Sequence, residues 1–172
     1  MVVTLGNHID GLAFLHFKQS INSDPFGILS SSNDFVSFCN WPGVTCSRCH
    51  RRVTALILEG HKLKGLISPH IGNLTFLTYI KLQNNSFFGE IPWKVGHLFR
   101  LQHLTLSNDM FGGRIPVSLM HCSELRIIAL SGNWVAIRGF HYMRKVVGIN
   151  GTFLKGQYRG VLLVAIAQDG NG

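Results

Sequence analysis

The sequence predicts an α/β solenoid. Short repeated coils stack on one another, a helix-bearing segment caps the N-terminal end, and a β-hairpin fragment follows at the C-terminal end. Three observations predict it. Apolar residues recur every 24 residues through the middle of the chain. An amphipathic helical stretch and a Pro-Gly turn between two cysteines precede that repeat. Beyond it the register stops, and a basic tail rich in Val and Ile begins.

Composition bounds the reading. With 172 residues, 46% hydrophobic and 14% charged, the chain holds one modest domain with ample core material, charged residues falling well below the usual roughly 25%. Sixteen Lys and Arg against eight Asp and Glu give +8, which bears on solubility and non-specific attraction but not on fold. No apolar run approaches the ~20 residues of a membrane span. A large enzyme with separate cofactor and substrate domains is excluded by length. No nucleophile–base pair, phosphate loop or carboxylate cluster is legible, so no enzyme activity, catalytic residue, cofactor or metal is assigned.

Residues 1–9 read as a stub with neither a basic start nor an apolar stretch, so no secretory signal is expected there. Asp10 reads as the N-cap of a helix running to about Ile21. Leu12, Leu15 and Lys18 lie along one side, with Phe14, Phe17 and Ile21 beside them. Pro25, lacking an N–H, ends it, and residues 26–38 read as a loop.

The stretch Cys39-Asn-Trp-Pro-Gly-Val-Thr-Cys46 contains a turn at Pro42-Gly43 and a Trp to cover a crosslink, so a Cys39–Cys46 disulfide is the first reading. The closed loop is short, which bounds its contribution to about 2–3 kcal/mol, and the bond requires an oxidising compartment. Two alternatives stay open. Cys46-Ser-Arg-Cys-His50 matches the c-type haem attachment string. Cys39, Cys46, Cys49 and His50 would make a cramped zinc set without the usual distant second pair. Cys122 falls in the periodic region and reads as a small buried hydrophobe.

Self-comparison carries the most information. Val53, Leu77, Leu101 and Leu125 open units 24 residues apart. Position four reads Leu56, Ile80, Leu104, Ile128, and position six reads Leu58, Leu82, Leu106, Leu130. Position nine reads His61, Asn85, Asp109, Asn133. This is the leucine-rich-repeat pattern L-x-x-L-x-L-x-x-N, about three and a half units over residues 53–134. Positions four and six of a short strand point inward while their neighbours point out. The Asn amide bonds backbone groups where the chain turns inward. His61 and Asp109 substitute imperfectly, so their turns are expected to be weaker.

With these motifs in hand, residues 8–134 resemble the extracellular start of plant leucine-rich-repeat receptor kinases. The matching stretches are Asp10-Gly-Leu-Ala-Phe-Leu-His-Phe-Lys18, Asp24-Pro25, Phe38-Cys-Asn-Trp-Pro-Gly-Val-Thr-Cys46, Gly65-Leu-Ile-Ser-Pro-His-Ile-Gly-Asn-Leu74 and Asn85-Ser-Phe-Phe-Gly-Glu-Ile-Pro92. The resemblance implies a cap over residues 10–52 with a Cys39–Cys46 bridge, then a right-handed solenoid that recognises peptides, microbial molecules or co-receptors. It also implies a secreted or cell-surface location, which the sequence itself leaves unassigned. The outward strand residues then form the concave candidate site for a protein or peptide ligand or co-receptor: Ile57, Glu59, Tyr79, Lys81, Gln83, His103, Thr105 and Ser107. The competing reading is solvated strand surface, since so few coils offer little area beside a standard interface of ~800 Å² per partner. Asn73 and Asn84 open glycosylation sequons that apply if the chain is secreted.

Residues 139–172 resemble the opening of a Mutator-like transposase catalytic domain, through Val146-Val-Gly-Ile-Asn-Gly-Thr-Phe-Leu-Lys-Gly-Gln-Tyr-Arg-Gly-Val-Leu-Leu-Val-Ala-Ile-Ala-Gln-Asp-Gly-Asn171. That resemblance implies a ribonuclease-H-like fold with three carboxylates holding two metals. Asn150 stands where the first carboxylate belongs, and a neutral amide cannot supply the charge a hard cation demands. Asp169 reads as a turn residue. The tail is therefore expected to be catalytically dead. Contact with nucleic acid through Arg144, Lys145, Lys155 and Arg159 is expected to be weak and salt-sensitive, and nucleic acid is an unlikely partner. Tyr142–Ile149 and Tyr158–Ala167 read as the arms of a hairpin standing apart from the solenoid, with an open, aggregation-prone edge at Val161–Ala167. The second functional reading is an inactive transposase-derived remnant associated with nucleic acid, or a chimeric gene product without function.

Overall fold

The computed structural model describes residues 5–30, 37–135 and 162–164. Helix α1 spans Leu5–Gln19. Its buried face is Asp10, Ala13, Phe14 and Phe17, an i, i+3, i+4, i+7 stripe. Two expectations are corrected here. Asp10 lies inside the helix rather than capping it, and Leu12 faces water. Ile21 leaves the helix for strand β1 (Ile21–Ser23), because Ser20 closes the last turn with its hydroxyl on the His16 carbonyl.

The remaining strands are β2 (Val44–Cys46), β3 (Val53–Ile57), β4 (Lys64–Gly65), β5 (Tyr79–Lys81), β6 (Ser86–Gly89), β7 (His103–Thr105), β8 (Met110–Phe111), β9 (Ile127–Ala129) and β10 (Leu162–Val164). The larger sheet has the order β10-β9-β7-β5-β3-β2, parallel throughout except for antiparallel β2. Ala55, Tyr79, His103 and Ile127 pair in one row, so the 24-residue spacing in sequence is the sheet register in space. A smaller sheet, β1-β4-β6-β8, forms the opposite side of each coil. Single 3₁₀ turns at Pro69–Asn73, Trp93–His97 and Val117–His121 close the coils.

The expected separation of the tail does not hold. Leu162–Val164 pairs in parallel with β9 and extends the solenoid sheet. The β9 edge presents unpaired backbone groups, which an apolar extended segment satisfies. Of the expected hairpin, the arm at residues 142–149 lies outside the described residues.

The core runs between the sheets. Leu56, Ile80, Leu104 and Ile128 are fully buried or within 1% of it, as are Leu58, Leu82, Leu106 and Leu130. A second row, Leu63, Phe87, Phe111 and Val135, backs the smaller sheet, where the Phe87 and Phe111 rings stack at 6.2 Å. Phe17 of α1 meets Phe87 at 6.2 Å and so joins the cap to this row. Phe14 packs edge-on against Trp41 at 6.0 Å. Coils approach closely at Gly72 and Gly96, where a Cβ would strike the Lys94 and Ser118 backbones. Met120, one repeat further on, is exposed; the described residues place no coil against it.

The turns are held by a ladder of position-nine side chains. Asn85 donates to the Leu58 and Leu82 carbonyls at 2.7 Å each and accepts from the His61 and Leu63 amides. Asn133 donates to the Leu106 and Leu130 carbonyls and accepts from the Phe111 amide. Each rung thus reaches back one coil. The first coil's rung is made by Asn85, so His61 is not the weak point its identity suggested. Asp109 is. It accepts from the Phe87 amide at 2.9 Å, but its Oδ2 is buried without a partner. Burial pushes its carboxyl up from the ordinary 3.8 to about 7, against the pull of the Phe87 and Asn85 amides.

An ion pair joins the cap to the first coil. Arg52 grips the Asp10 carboxylate with two bonds of 2.9 Å, and the Val53 amide donates to the same carboxylate at 2.9 Å. This bolts α1 to the first strand of the solenoid.

Two predictions follow from these contacts. Arg52→Ala strands the buried Asp10 carboxylate and is expected to cost about 3–5 kcal/mol in urea unfolding, Asp10→Ala less because Arg52 keeps some contact with water, and the double mutant less than their sum; additive costs would show that the pair is not coupled. Asp109 binds its proton more tightly folded than unfolded, so its penalty is full above pH 7 and fades as pH falls toward 4. Asp109→Asn is therefore expected to stabilise the protein by about 1–3 kcal/mol at pH 8 and to lose most of that advantage at pH 5. Melting curves of both proteins across that range check it.

Candidate functional site

Alternation along the parallel strands sorts the outward side chains into three rows. The first holds Tyr79, His103 and Ile127 beside buried Ala55, and the second holds Ile57, Lys81, Thr105 and Ala129. Glu59, Gln83 and Ser107 follow at the same spacing just beyond the strands. Ile57 and Glu59 are exposed; the other six candidates are half-buried. The structure therefore brings all eight onto one face of one sheet.

Their local contacts differ. The Tyr79 and His103 rings lie 4.8 Å apart and tilted by 47°. The His103 imidazole is held below its usual range by desolvation first, then by the charges of Lys81 and Arg126. Thr105 donates to the Ile80 carbonyl at 3.3 Å. Gln83 Oε1 is buried without a partner. Glu59 accepts from Asn84 Nδ2 at 3.3 Å, and Asn84 Oδ1 accepts from Asn108 Nδ2 at 2.8 Å. Asn84 and Asn108 adopt φ of 59° and 56°, the left-handed turn conformation that Gly60 and Gly132 supply in the flanking coils. Asn73 is exposed at the end of its 3₁₀ turn.

Cys39 and Cys46 are disulfide-bonded. Cys46 is thereby unavailable to a thioether or a metal. Cys49 is exposed and His50 lies against Phe76, with ring centroids 6.0 Å apart. Cys122 is buried, its thiol pushed up to about 11 by desolvation. No helix among the described residues is long and apolar enough to cross a membrane.

Two features escaped the sequence reading. One is the Asp10–Arg52 pair. The other is a cation–aromatic cluster along one rim of the sheet: the Arg52 and Arg100 guanidinium carbons lie 4.7 and 4.2 Å from the centre of the Phe76 ring. The signal was present, because residues 52, 76 and 100 occupy one repeat offset. Arg126 likewise precedes the strand position opposite His103 and belongs electrostatically with the candidate face.

Comparison with known proteins fits this geometry. Residues 7–47 match the leucine rich repeat N-terminal domain family. A receptor-like protein kinase of Arabidopsis thaliana is 47% identical over 87 residues, 51% of this chain and 8% of that protein. The LRR receptor-like serine/threonine-protein kinase EFR of the same plant is 49% identical over 82 residues, 47% of this chain and 8% of that protein. The chain thus spans under a tenth of the length of these relatives. Among solved structures, the PEPR1–AtPEP1 complex gives a TM-score of 0.69 at 30% identity, covering 73% of this chain and 18% of that one. The BIR3–SERK2 complex from Arabidopsis thaliana gives 0.65 at 30% identity, covering 73% and 70%. The chain carries a leucine-rich-repeat segment of the plant receptor-like ectodomain type. In this ectodomain segment most of α1 and the Cys39–Cys46 bridge fall within residues 7–47, and the candidate face is the sheet face of the coils that follow.

Proposed function

We propose that the chain is a recognition module whose concave sheet face binds a peptide, a protein ligand or a co-receptor in signalling or defence, with no catalysis of its own. The observation that carries it is the three-row array: polar, charged and aromatic side chains held at fixed spacing on four rigid parallel strands, a preorganised surface with little ordering cost on binding. The names of two structural relatives support it. PEPR1 is seen with AtPEP1, and the receptor kinase GASSHO1/SCHENGEN3 of Arabidopsis thaliana, with TM-score 0.70 at 30% identity over 73% of this chain and 15% of that one, is in complex with CASPARIAN STRIP INTEGRITY FACTOR 2.

The proposal extends to the division of the chain into a cap at 10–52, repeats at 53–134 and a tail at 139–172 of transposase origin. Asn150 in place of the first carboxylate supports an inert tail. Asn73 and Asn84 serve as glycan acceptors if the chain is secreted. Exposure favours Asn73, whereas the Asn84 amide is engaged with Glu59 and Asn108.

Panning of a random decapeptide phage library on the disulfide-intact chain tests the function. Tyr79→Ala with His103→Ala is expected to weaken selected peptides by roughly tenfold or more, as loss of central aromatic contacts does. Trp93→Ala, on the 3₁₀ side, is expected to leave them bound. Loss with Trp93→Ala alone, or no enrichment at all, would remove the concave face from consideration.

A further inference from the structure

Charge on the candidate face is unbalanced. Among the described residues neither Lys81 nor Arg126 is held in an ion pair. Glu59, in another row of this face, is bonded to Asn84, and Glu124 stands two residues before Arg126, at the rim offset of Arg52, Phe76 and Arg100. Lys81 sits one strand over and two residues on from His103, a diagonal neighbour at about 7–8 Å. Arg126 immediately precedes Ile127, which pairs with His103 on the other side. Three nitrogen-bearing side chains therefore surround one spot on β5, β7 and the start of β9. The Tyr79 ring, tilted against His103, supplies an apolar ledge beside it.

We propose that this spot takes the side-chain carboxylate of an acidic residue in an extended peptide, seated over Lys81, His103 and Arg126. The inference rests on the recognition reading above and adds the class of ligand. Like charges gathered without a counterion raise the free energy of the empty face, and an incoming carboxylate relieves it. The lowered His103 basicity comes first from desolvation, and the charges of Lys81 and Arg126 add to it. The compactness of the cluster and the acid at Glu59 favour a single carboxylate on a peptide over a polyphosphate strand, which needs an extended basic track.

Fluorescence anisotropy on the disulfide-intact full chain tests this. The probes are two fluorescein-labelled decapeptide pools, random except for a central Glu in one and a central Gln in the other. The Glu pool is expected to bind roughly tenfold more tightly. Lys81→Gln with Arg126→Gln is expected to erase that preference, so that the two pools bind alike. Lys62→Gln with Lys94→Gln, an equal loss of charge elsewhere, is expected to keep it. Equal binding of both pools overturns the acidic preference and leaves the recognition reading standing. Binding of neither pool overturns both. A preference that survives Lys81→Gln with Arg126→Gln overturns the placement. Displacement of the Glu pool by an unlabelled oligothymidine at physiological salt overturns the choice of a peptide.

Discussion

A coil of this solenoid cannot satisfy its own turn. Where each coil bends away from the sheet, backbone carbonyls and amides are buried, and the amide of the next coil's position-nine residue supplies their partners. An amide suits the task because it donates and accepts from one planar group. The coils therefore fold by stacking, and each rung couples a local turn to its neighbour. Asp109 shows the rule by breaking it: a carboxylate in that slot accepts but cannot donate, and its second oxygen is left bare in a buried place.

The stack must also end. At the N-terminal side the end is closed by a helix, an antiparallel strand and a disulfide, yet the helix is joined to the first coil by a charged contact. Asp10 opens the buried stripe of α1 and delivers a buried carboxylate to Arg52 and the Val53 amide. Apolar packing fixes that the two surfaces meet, and the three charge-assisted bonds fix how they meet. The Arg52 guanidinium then lies over Phe76, as does that of Arg100, so the cap contact runs on into the rim of the sheet.

Function rests on the same arithmetic. A parallel sheet with exact 24-residue register turns residues distant in sequence into neighbours, as Tyr79 and His103 show. The inward face is spoken for by leucines. The outward face is free of folding duties, so its residues are available for recognition. Its surplus positive charge is the feature that distinguishes it from a merely solvated strand surface.

The sequence by itself determined the repeat, the inward leucines and the membership of the outward rows, because each follows from spacing and residue type alone; it marked both His61 and Asp109 as weak rungs, and the stack decided between them, because Asn85 of the next coil serves the first turn. It did not determine the helix boundaries or the role of Asp10. An acid near a helix start reads as a cap until a partner 42 residues away is known. It also did not determine that Leu162–Val164 would pair with β9, since strand partners are chosen by open edges, which exist only once the sheet has formed. Local pattern is written in the order of residues, whereas pairings between distant charges and between sheet edges are settled by what the folded stack brings within reach.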